Sequence, residues 1–222
     1  MLTTLLFDFD GVIADSEPLH CAALIETLAG RGIALDEPTY YAEYLGFDDR
    51  ECFRYAFQQH GRDASAPAVA EAIAEKNRAF EARMRAHHAL IPGAADFIRA
   101  AAADGLRLAI VSGALRREIE LVLVASGLAP HFETIVPADD VMRCKPDPEG
   151  YREALRRLGV EAANAVVLED SLPGLEAARG AGCACAMLAT SHPAHELVAA
   201  DLVWADFTGH RPAELRALVD AA

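Results

Sequence analysis

The chain has 222 residues, of which 53% are hydrophobic and 24% are charged, and this composition is typical of a globular protein and excludes a disordered one. The net charge of −14 repels nucleic acid and anionic membranes, so neither is expected as a partner. No apolar run approaches the roughly 18 residues that cross a membrane, and the start MLTTLLFDFD lacks the basic region of a signal peptide, so we expect a cytoplasmic protein.

The first predicted element is a strand from about Thr3 to Asp8, which runs into the acidic turn DFDG. A strand that is buried on both faces has no ordinary use for two carboxylates. Asp8 and Asp10 therefore either cap a turn or lie at the end of a strand to hold a cation and do chemistry.

The segment after this turn is predicted to be helical. Apolar residues recur at helical spacing in the stretches 17–32, 48–61 and 66–88, and glycines close the first two. No convincing strand interrupts this block. The length of the chain suits one core with an inserted subdomain, so we predict a core of residues 1–15 and 89–222 and an all-helical insert of residues 16–88.

From Ile91 onwards, predicted helices alternate with predicted strands. The helices are 91–105, 114–127, 147–159 and 171–182, and the strands are 106–113, 132–137, 164–170 and 183–188. Strands that alternate with helices of this length need crossover connections. The pattern predicts an α/β fold with a parallel sheet and helices on both faces.

Three of the predicted strands end in the polar residues Asp8, Ser112 and Asp170. Ligands of parallel sheets bind beyond the carboxyl ends of the strands. A phosphoryl dianion needs cations there, and a Mg²⁺ shared by Asp8 and Asp170 would remove its repulsion from the carboxylates. Together with Glu169, these are three acids, which Mg²⁺ and Lys145 would offset. The strand ends thus predict a site for phosphoryl transfer.

Each of these residues suits one role in that reaction. Asp8 is the predicted nucleophile, because a carboxylate is ionised at neutral pH and needs no activating base. Asp10 would protonate the leaving oxygen and later deprotonate a water, and its backbone carbonyl is a candidate metal ligand. The Ser112 hydroxyl and the N–H groups of Gly113 and Ala114, at the start of the next predicted helix, would bind phosphate.

Further contacts are predicted from loops and helix starts. Lys145 offers a mobile charge, because Pro146 and Pro148 keep its segment out of a helix. Gly11, at the acidic turn, is another candidate for substrate binding. Arg116, on the first turn of its predicted helix, is a candidate contact for a phosphate or sugar oxygen, and the alternative is an exposed arginine paired with nearby glutamates.

These residues carry a family resemblance. The segment DFDGVIADS, Ser112 after an apolar strand, the Lys145-Pro146 pair and LEDSLPGLEAARGAG resemble, in this order, the four motifs of the haloacid dehalogenase-like superfamily. The helical insert resembles that of the subgroup of small phosphatases and β-phosphoglucomutase-like proteins. The resemblance implies a Rossmann-like core, a mobile helical cap and a Mg²⁺-dependent aspartyl-phosphate mechanism.

The resemblance also implies that residues of the cap contact the substrate. The candidates are His20, Gly46, Arg50 and Lys76, and each would otherwise be interpreted as a surface residue. Gly46 followed by Arg50 resembles the cap loop of β-phosphoglucomutase, although the arginine comes one residue later here.

The leading hypothesis is a monomeric Mg²⁺-dependent phosphomonoesterase that acts on a small phosphorylated metabolite such as a sugar phosphate. One alternative is a β-phosphoglucomutase-like isomerase, which would return isomerised sugar phosphate in place of free phosphate. A dehalogenase would leave Asp10 and the Glu169-Asp170 pair unexplained. A non-catalytic binding protein that keeps the fold is expected to have lost one of the motif residues, and none is missing.

The five cysteines show no framework pattern and an odd count, so they are interpreted as reduced thiols in a reducing compartment. Cys183 and Cys185 lie on one side of a predicted strand. Because no further ligands accompany them, they are expected to be small buried side chains and not a metal site.

Overall fold

Six strands form one parallel sheet. The computed structural model describes residues 1–45, 47–86 and 90–220. Within them, strands β1 to β6 are, in chain order, Thr4–Phe7, Arg107–Val111, Thr134–Val136, Ala165–Glu169, Ala184–Leu188 and Leu202–Trp204. The order across the sheet is β3-β2-β1-β4-β5-β6, and every neighbouring pair is parallel. The predicted α/β fold class is confirmed.

The helices alternate with these strands after residue 90, whereas the described residues between Glu17 and Ala86 contain helices and no strand. Helices α1 to α9 are, in chain order, Glu17–Ala29, Glu37–Thr39, Asp49–Gln59, Ala66–Ala86, Ala94–Ala103, Arg116–Ser126, Glu149–Leu158, Leu172–Ala181 and Arg216–Asp220. The contacts of the chain separate it into two compact units, one of Met1–Asp15 with His88–Ala222 and the other of Ser16–His87. The division into a catalytic core and a mobile cap remains a prediction about function.

Helices cover both faces of the sheet. Neighbouring residues of a strand point to opposite faces, so each strand contacts helices on both sides. On one face, Leu6 of β1 belongs to a buried cluster with Tyr151 of α7 and Leu175 of α8. On the other face, the ring of Phe7 lies 6.4 Å from that of Phe97 in α5. All four residues of β1 are buried, so the strand is apolar up to the point where the acids begin.

The helical unit has a hydrophobic core of its own. Its buried residues include Leu24 and Leu28 of α1, Phe53 and Phe57 of α3, and Val69 of α4. Asp48 caps α3, and its carboxylate accepts a hydrogen bond of 2.8 Å from the N–H of Glu51. The apolar spacing in the sequence therefore corresponds to the residues that these helices bury.

Some elements differ from the prediction. The helix expected from residue 114 begins at Arg116, because the N–H of Ala114 bonds to the Ser112 hydroxyl at 3.0 Å before the helix starts. Strand β6, the short helices α2 and α9, and the π-helical turn Tyr40–Tyr44 after α2 had no clear sequence pattern. The last two residues of the predicted helix 66–88 lie outside the described residues.

All five cysteines are free thiols, and Cys183 and Cys185 are buried as expected for small core side chains. Within the described part of the chain, no helix has both the length and the apolar character that crossing a membrane requires.

Candidate active site

The sheet order brings the predicted motif residues to one edge. Strand β1 lies between β2 and β4, and Phe7 pairs with Ile110 on one side and with Leu168 on the other. The residues that follow these positions leave the sheet at the same edge. As a result, carboxylate oxygens of Asp8, Glu169 and Asp170 lie within 4.8 Å of one another.

The acidic turn after β1 depends on Gly11. Its φ of +72° is in the left-handed region, and its N–H donates to the carbonyl of Ala14 at 2.8 Å. A Cβ at this position would lie 1.9 Å from Oδ2 of Asp170. Gly11 therefore allows the chain to approach the Asp170 carboxylate closely.

Lys145 links the first and last motifs. Its Nζ lies 2.6 Å from Oδ1 of Asp8 and 2.5 Å from Oε1 of Glu169. The lysine lies in a turn before α7, outside any helix or strand, so it projects from a loop. The structure thus brings the lysine to the nucleophile candidate.

Glu169 is fully buried and accepts five hydrogen bonds. Its Oε1 accepts from Nζ of Lys145 at 2.5 Å and from the hydroxyl of Tyr151 at 2.8 Å. Its Oε2 accepts from the N–H of Asp170 at 3.0 Å, and from the N–H and the hydroxyl of Ser171 at 3.1 and 3.0 Å. Gly174 makes room for this carboxylate, because a Cβ there would lie 1.9 Å from Oε1.

Asp170 is held from the loop after β5. The Ser191 hydroxyl donates to Oδ2 of Asp170, and the Thr190 hydroxyl donates to the carbonyl of Gly11 at 2.6 Å. The sequence reasoning missed Tyr151, Thr190 and Ser191. A tyrosine on the buried face of a helix and two hydroxyls in a polar loop carry no signal of their own.

The charges of this cluster oppose one another. Burial raises the pKa of Asp8 well above its ordinary value, and the charges of Glu169 and Asp170 add to the shift while Lys145 opposes it. Burial and the charge of Glu169 raise the pKa of Asp170 to about 7. For Glu169 the charge and hydrogen bond of Lys145 outweigh burial and lower the pKa. Three acids facing one lysine are short of positive charge, which a divalent cation would supply.

Ser112 follows β2 at the same edge and is 5% exposed. Its N–H donates to the carbonyl of Val136 at 3.0 Å, which fixes the start of the loop. The sequence analysis expected Gly113 and Ala114 at the start of the next helix, but α6 starts at Arg116, so both residues belong to this loop.

The guanidinium of Arg116 has protein partners on the neighbouring loop. Its Nη2 lies 2.9 Å from Oδ2 of Asp140 and donates to the carbonyl of Ile135 at 3.2 Å. A contact of Arg116 with substrate remains a prediction.

In the helical unit, two of the predicted residues lie together. Lys76 is 2% exposed, and its Nζ is 2.7 Å from Nδ1 of His20 and 2.7 Å from Oδ1 of Asp49. The His20 ring stacks on Phe80 with centroids 4.0 Å apart. Lys76 is therefore engaged within its own unit. Arg50 is an exposed residue of α3.

Gly46, the remaining candidate of the helical unit, lies outside the described residues. Substrate contacts by His20, Arg50 and Lys76 stay predictions.

The donor set of the edge fits Mg²⁺. The cluster offers carboxylate oxygens only, which this hard cation prefers, and Gly11 lets the Asp170 carboxylate lie close to the acidic turn. Asp8 and Asp170 are the candidates for direct ligands, together with the backbone carbonyl of Asp10. Glu169 would have to give up one of its hydrogen bonds to join them.

Comparison with known proteins agrees with this geometry. The family model described as haloacid dehalogenase-like hydrolase matches residues 5–188. The protein CbbY of Cereibacter sphaeroides is 37% identical over 204 residues, which are 88% of each chain. A validoxylamine A 7'-phosphate phosphatase of Streptomyces hygroscopicus subsp. limoneus is 31% identical and covers 94% of this chain and 95% of its own.

A solved structure extends the comparison to a ligand complex. It is that of a variant of CbbY from Rhodobacter sphaeroides bound to xylulose-1,5-bisphosphate. Its TM-score is 0.80 at 34% identity, and it covers 94% of this chain and 96% of its own.

Proposed function

The chain belongs to the haloacid dehalogenase-like hydrolase family, and from this premise we propose that it is a Mg²⁺-dependent phosphatase of small phosphorylated metabolites. The observation that supports the proposal best is the convergence of Asp8, Lys145, Glu169 and Asp170. Their charged atoms meet at one edge of the sheet although the residues come from three distant stretches of chain.

In the proposed reaction, Asp8 is the nucleophile. One of its carboxylate oxygens attacks phosphorus, and the bond between phosphorus and the leaving oxygen breaks. The carboxyl of Asp10 gives its proton to that oxygen, so a neutral alcohol leaves. Water then attacks the phosphorus of the aspartyl-phosphate and passes a proton to Asp10. The bond between phosphorus and the Asp8 oxygen breaks, so phosphate leaves and both acids are restored.

The other residues stabilise the negative charge that this chemistry moves. Lys145 lies 2.6 Å from the nucleophilic carboxylate, where its ammonium group can also meet a phosphoryl oxygen. The hydroxyl of Ser112 and the N–H of Gly113 are proposed donors to the other phosphoryl oxygens. Mg²⁺, held by Asp8, Asp170 and the backbone of Asp10, would supply positive charge to the nucleophile and the phosphate.

The proposed substrate is a phosphorylated sugar or a related polyol. The relatives support this class, because one is named a phosphatase of validoxylamine A 7'-phosphate and another has been solved with xylulose-1,5-bisphosphate. A sugar bisphosphate is accordingly the first compound to test.

The test is phosphate release in the presence of Mg²⁺ across sugar mono- and bisphosphates. We expect Mg²⁺-dependent release by the wild-type protein and its loss in Asp8→Asn. The matched control is Asp96→Asn, which changes a 94% exposed acid and should leave the rate unchanged.

Following isomerised sugar phosphate in the same reactions distinguishes a phosphatase from a mutase. No turnover of any compound, or equal activity of Asp8→Asn, would contradict the proposal. The monomeric state, the cytoplasmic location, the lack of a nucleic-acid partner and closure by the helical unit stay predictions.

A further inference from the structure

We propose that Tyr151 is a positioning residue, whose buried hydroxyl orients Glu169 and through it the ammonium group of Lys145. The inference rests on the proposed function, because it concerns how that site aligns its lysine. It assigns no contact with substrate to Tyr151 itself.

The acceptor sites of Glu169 are filled. A carboxylate has about four lone-pair positions, and five donors converge on this one. Oε2 accepts hydrogen bonds from the backbone and the serine hydroxyl just before α8. Oε1 is shared by Tyr151 and Lys145, so the tyrosine hydroxyl decides where the lysine finds its acceptor.

Tyr151 is itself enclosed by the core. Its side chain is fully buried in the cluster that contains Val111, Val136 and Leu175. Burial, followed by the charge of Glu169, raises the pKa of Tyr151 well above its ordinary value, so the hydroxyl keeps its proton and donates it. The ring also lies 5.2 Å from Nζ of Lys145, a cation–π distance. One buried side chain therefore contacts the lysine through its ring and holds the lysine's partner through its hydroxyl.

Packing alone does not account for the hydroxyl. Phenylalanine would fill the same space in the cluster and keep the ring under Lys145. Phenylalanine would remove only the hydrogen bond of 2.8 Å from the hydroxyl to Glu169. If the hydroxyl only solvates a buried carboxylate, its removal lowers stability and leaves catalysis unchanged. If it positions Lys145, catalysis falls as well.

The test compares Tyr151→Phe with Tyr40→Phe. Tyr40 is 6% exposed and donates to Oε1 of Glu17 at 2.6 Å, so each variant loses a hydrogen bond from a buried tyrosine to a glutamate. We expect kcat of Tyr151→Phe to fall about tenfold, as for other outer partners of catalytic groups, with KM changed less than about twofold. Tyr40→Phe should keep the kcat of the wild-type protein. Equal kcat values for the two variants would overturn the proposal.

A second readout does not depend on activity. The chain contains two lysines, Lys76 and Lys145, so lysine labelled with ¹⁵N gives two side-chain ammonium signals. A Lys145→Arg variant assigns them, and Lys76 serves as an internal reference. We expect Tyr151→Phe to move the signal of Lys145 and leave that of Lys76, and Tyr40→Phe to leave the signal of Lys145 in place.

The two readouts separate the inference from the proposed function. An unmoved Lys145 signal in Tyr151→Phe overturns the positioning role even in an active enzyme. A moved signal in a protein that hydrolyses nothing supports the positioning role and contradicts the phosphatase. Glu169→Gln keeps the shape of the side chain and serves as a second variant if Tyr151→Phe does not fold, with the same movement expected.

Discussion

At the scale of single residues, the three carboxylates of the site differ in what holds them. Glu169 is enclosed by donors, while Asp170 is reached by the hydroxyl of Ser191, an exposed residue of the loop after β5. A hydroxyl that orients a metal ligand commonly sets the affinity of the site. Glu169 thus orients the lysine, and Asp170 is, with Asp8, one of the two carboxylates that remain available to a cation.

Ser191→Ala is expected to weaken Mg²⁺ binding about tenfold, because the Asp170 carboxylate loses its orienting donor. Isothermal titration calorimetry with Mg²⁺ measures this directly. Ser126→Ala is the matched control, since the Ser126 hydroxyl bonds to the carbonyl of Val122 at 2.8 Å within α6. The same Mg²⁺ affinity in both variants would show that Ser191 has no role at the metal.

His20 predicts a pH dependence of stability. Burial and the charge of Lys76 lower its pKa from 6.5 to about 3. Between pH 6.5 and about 3, His20 binds a proton in the unfolded chain but not in the folded protein. The free energy of unfolding therefore has its full value above pH 6.5 and decreases as the pH falls below it. At pH 5 the decrease in the free energy of unfolding due to His20 is about 2 kcal/mol.

The check is urea unfolding of the wild-type protein and of His20→Gln at pH 7 and pH 5. The loss of unfolding free energy on acidification should be smaller in the variant by roughly that amount. Parallel losses in the two proteins would show that His20 is not buried in its neutral form.

Single residues also show where prediction from sequence ends. Asp8 was recognisable because it ends an apolar strand in a way that packing does not explain, and Lys145 because the Lys145-Pro146 pair resembles a family motif. Tyr151 and Ser191 were not, because a buried tyrosine and a loop serine gain their roles only from the partners that folding brings to them. A residue that breaks a local sequence pattern can be found from the sequence. A residue that supports it fits its local pattern and therefore cannot be distinguished.

At the scale of elements, the central position of β1 and the start of α8 build the site. Strand β1 pairs with β2 and β4, so the segments after these three strands meet. Helix α8 begins at Leu172 and is capped by Ser171, whose hydroxyl accepts from the N–H of Gly174 at 3.1 Å and donates to Oε2 of Glu169 at 3.0 Å. The first turn of α8 therefore packs directly against a carboxylate of the site.

Gly174→Ala is expected to disrupt this contact. The added Cβ would lie 1.9 Å from Oε1 of Glu169, so the carboxylate must move and the protein loses about 2 kcal/mol of unfolding free energy, as in other overpacked sites. Gly30→Ala is the control, because its Cβ would be 3.6 Å from the nearest atom, an ordinary contact. Urea unfolding and kcat check both variants, and a Gly174→Ala variant as stable and active as the control would refute the account of α8.

The elements that sequence could predict have regular patterns. The predicted stretches 106–113 and 164–170 contain β2 and β4, because apolar runs between helices are typical of buried parallel strands. The segment Leu202–Trp204 has three residues and joins only β5, so its pairing is set by the sheet and not by a local pattern. The same holds for α2, where three residues give no periodicity.

At the scale of the whole molecule, the site belongs to one of two units. Its acids, its lysine and the single tryptophan of the chain, Trp204, all lie in the unit of Met1–Asp15 and His88–Ala222. The Trp204 ring stacks on His210 with centroids 4.2 Å apart, so its fluorescence reports the packing of this unit.

Mg²⁺ is therefore expected to raise the unfolding midpoint that Trp204 reports. A ligand at a hundred times its Kd stabilises the folded state by about 2.7 kcal/mol. Asp170→Asn should abolish the increase, and Asp96→Asn should preserve it. A midpoint that is independent of Mg²⁺ in the wild-type protein would contradict the metal site.

The most direct test of the central claim, that Asp8 captures phosphorus, is the trapping of its phosphorylated form. Acid quenching of the wild-type protein during turnover with Mg²⁺ and a sugar bisphosphate, followed by borohydride reduction, should convert residue 8 to homoserine. Tryptic digestion places this residue in the peptide 1–31, since the first arginine or lysine is Arg31. We predict modification of that peptide at residue 8 and none in Asp8→Asn. Phosphate release without any modification at residue 8 would contradict the claim.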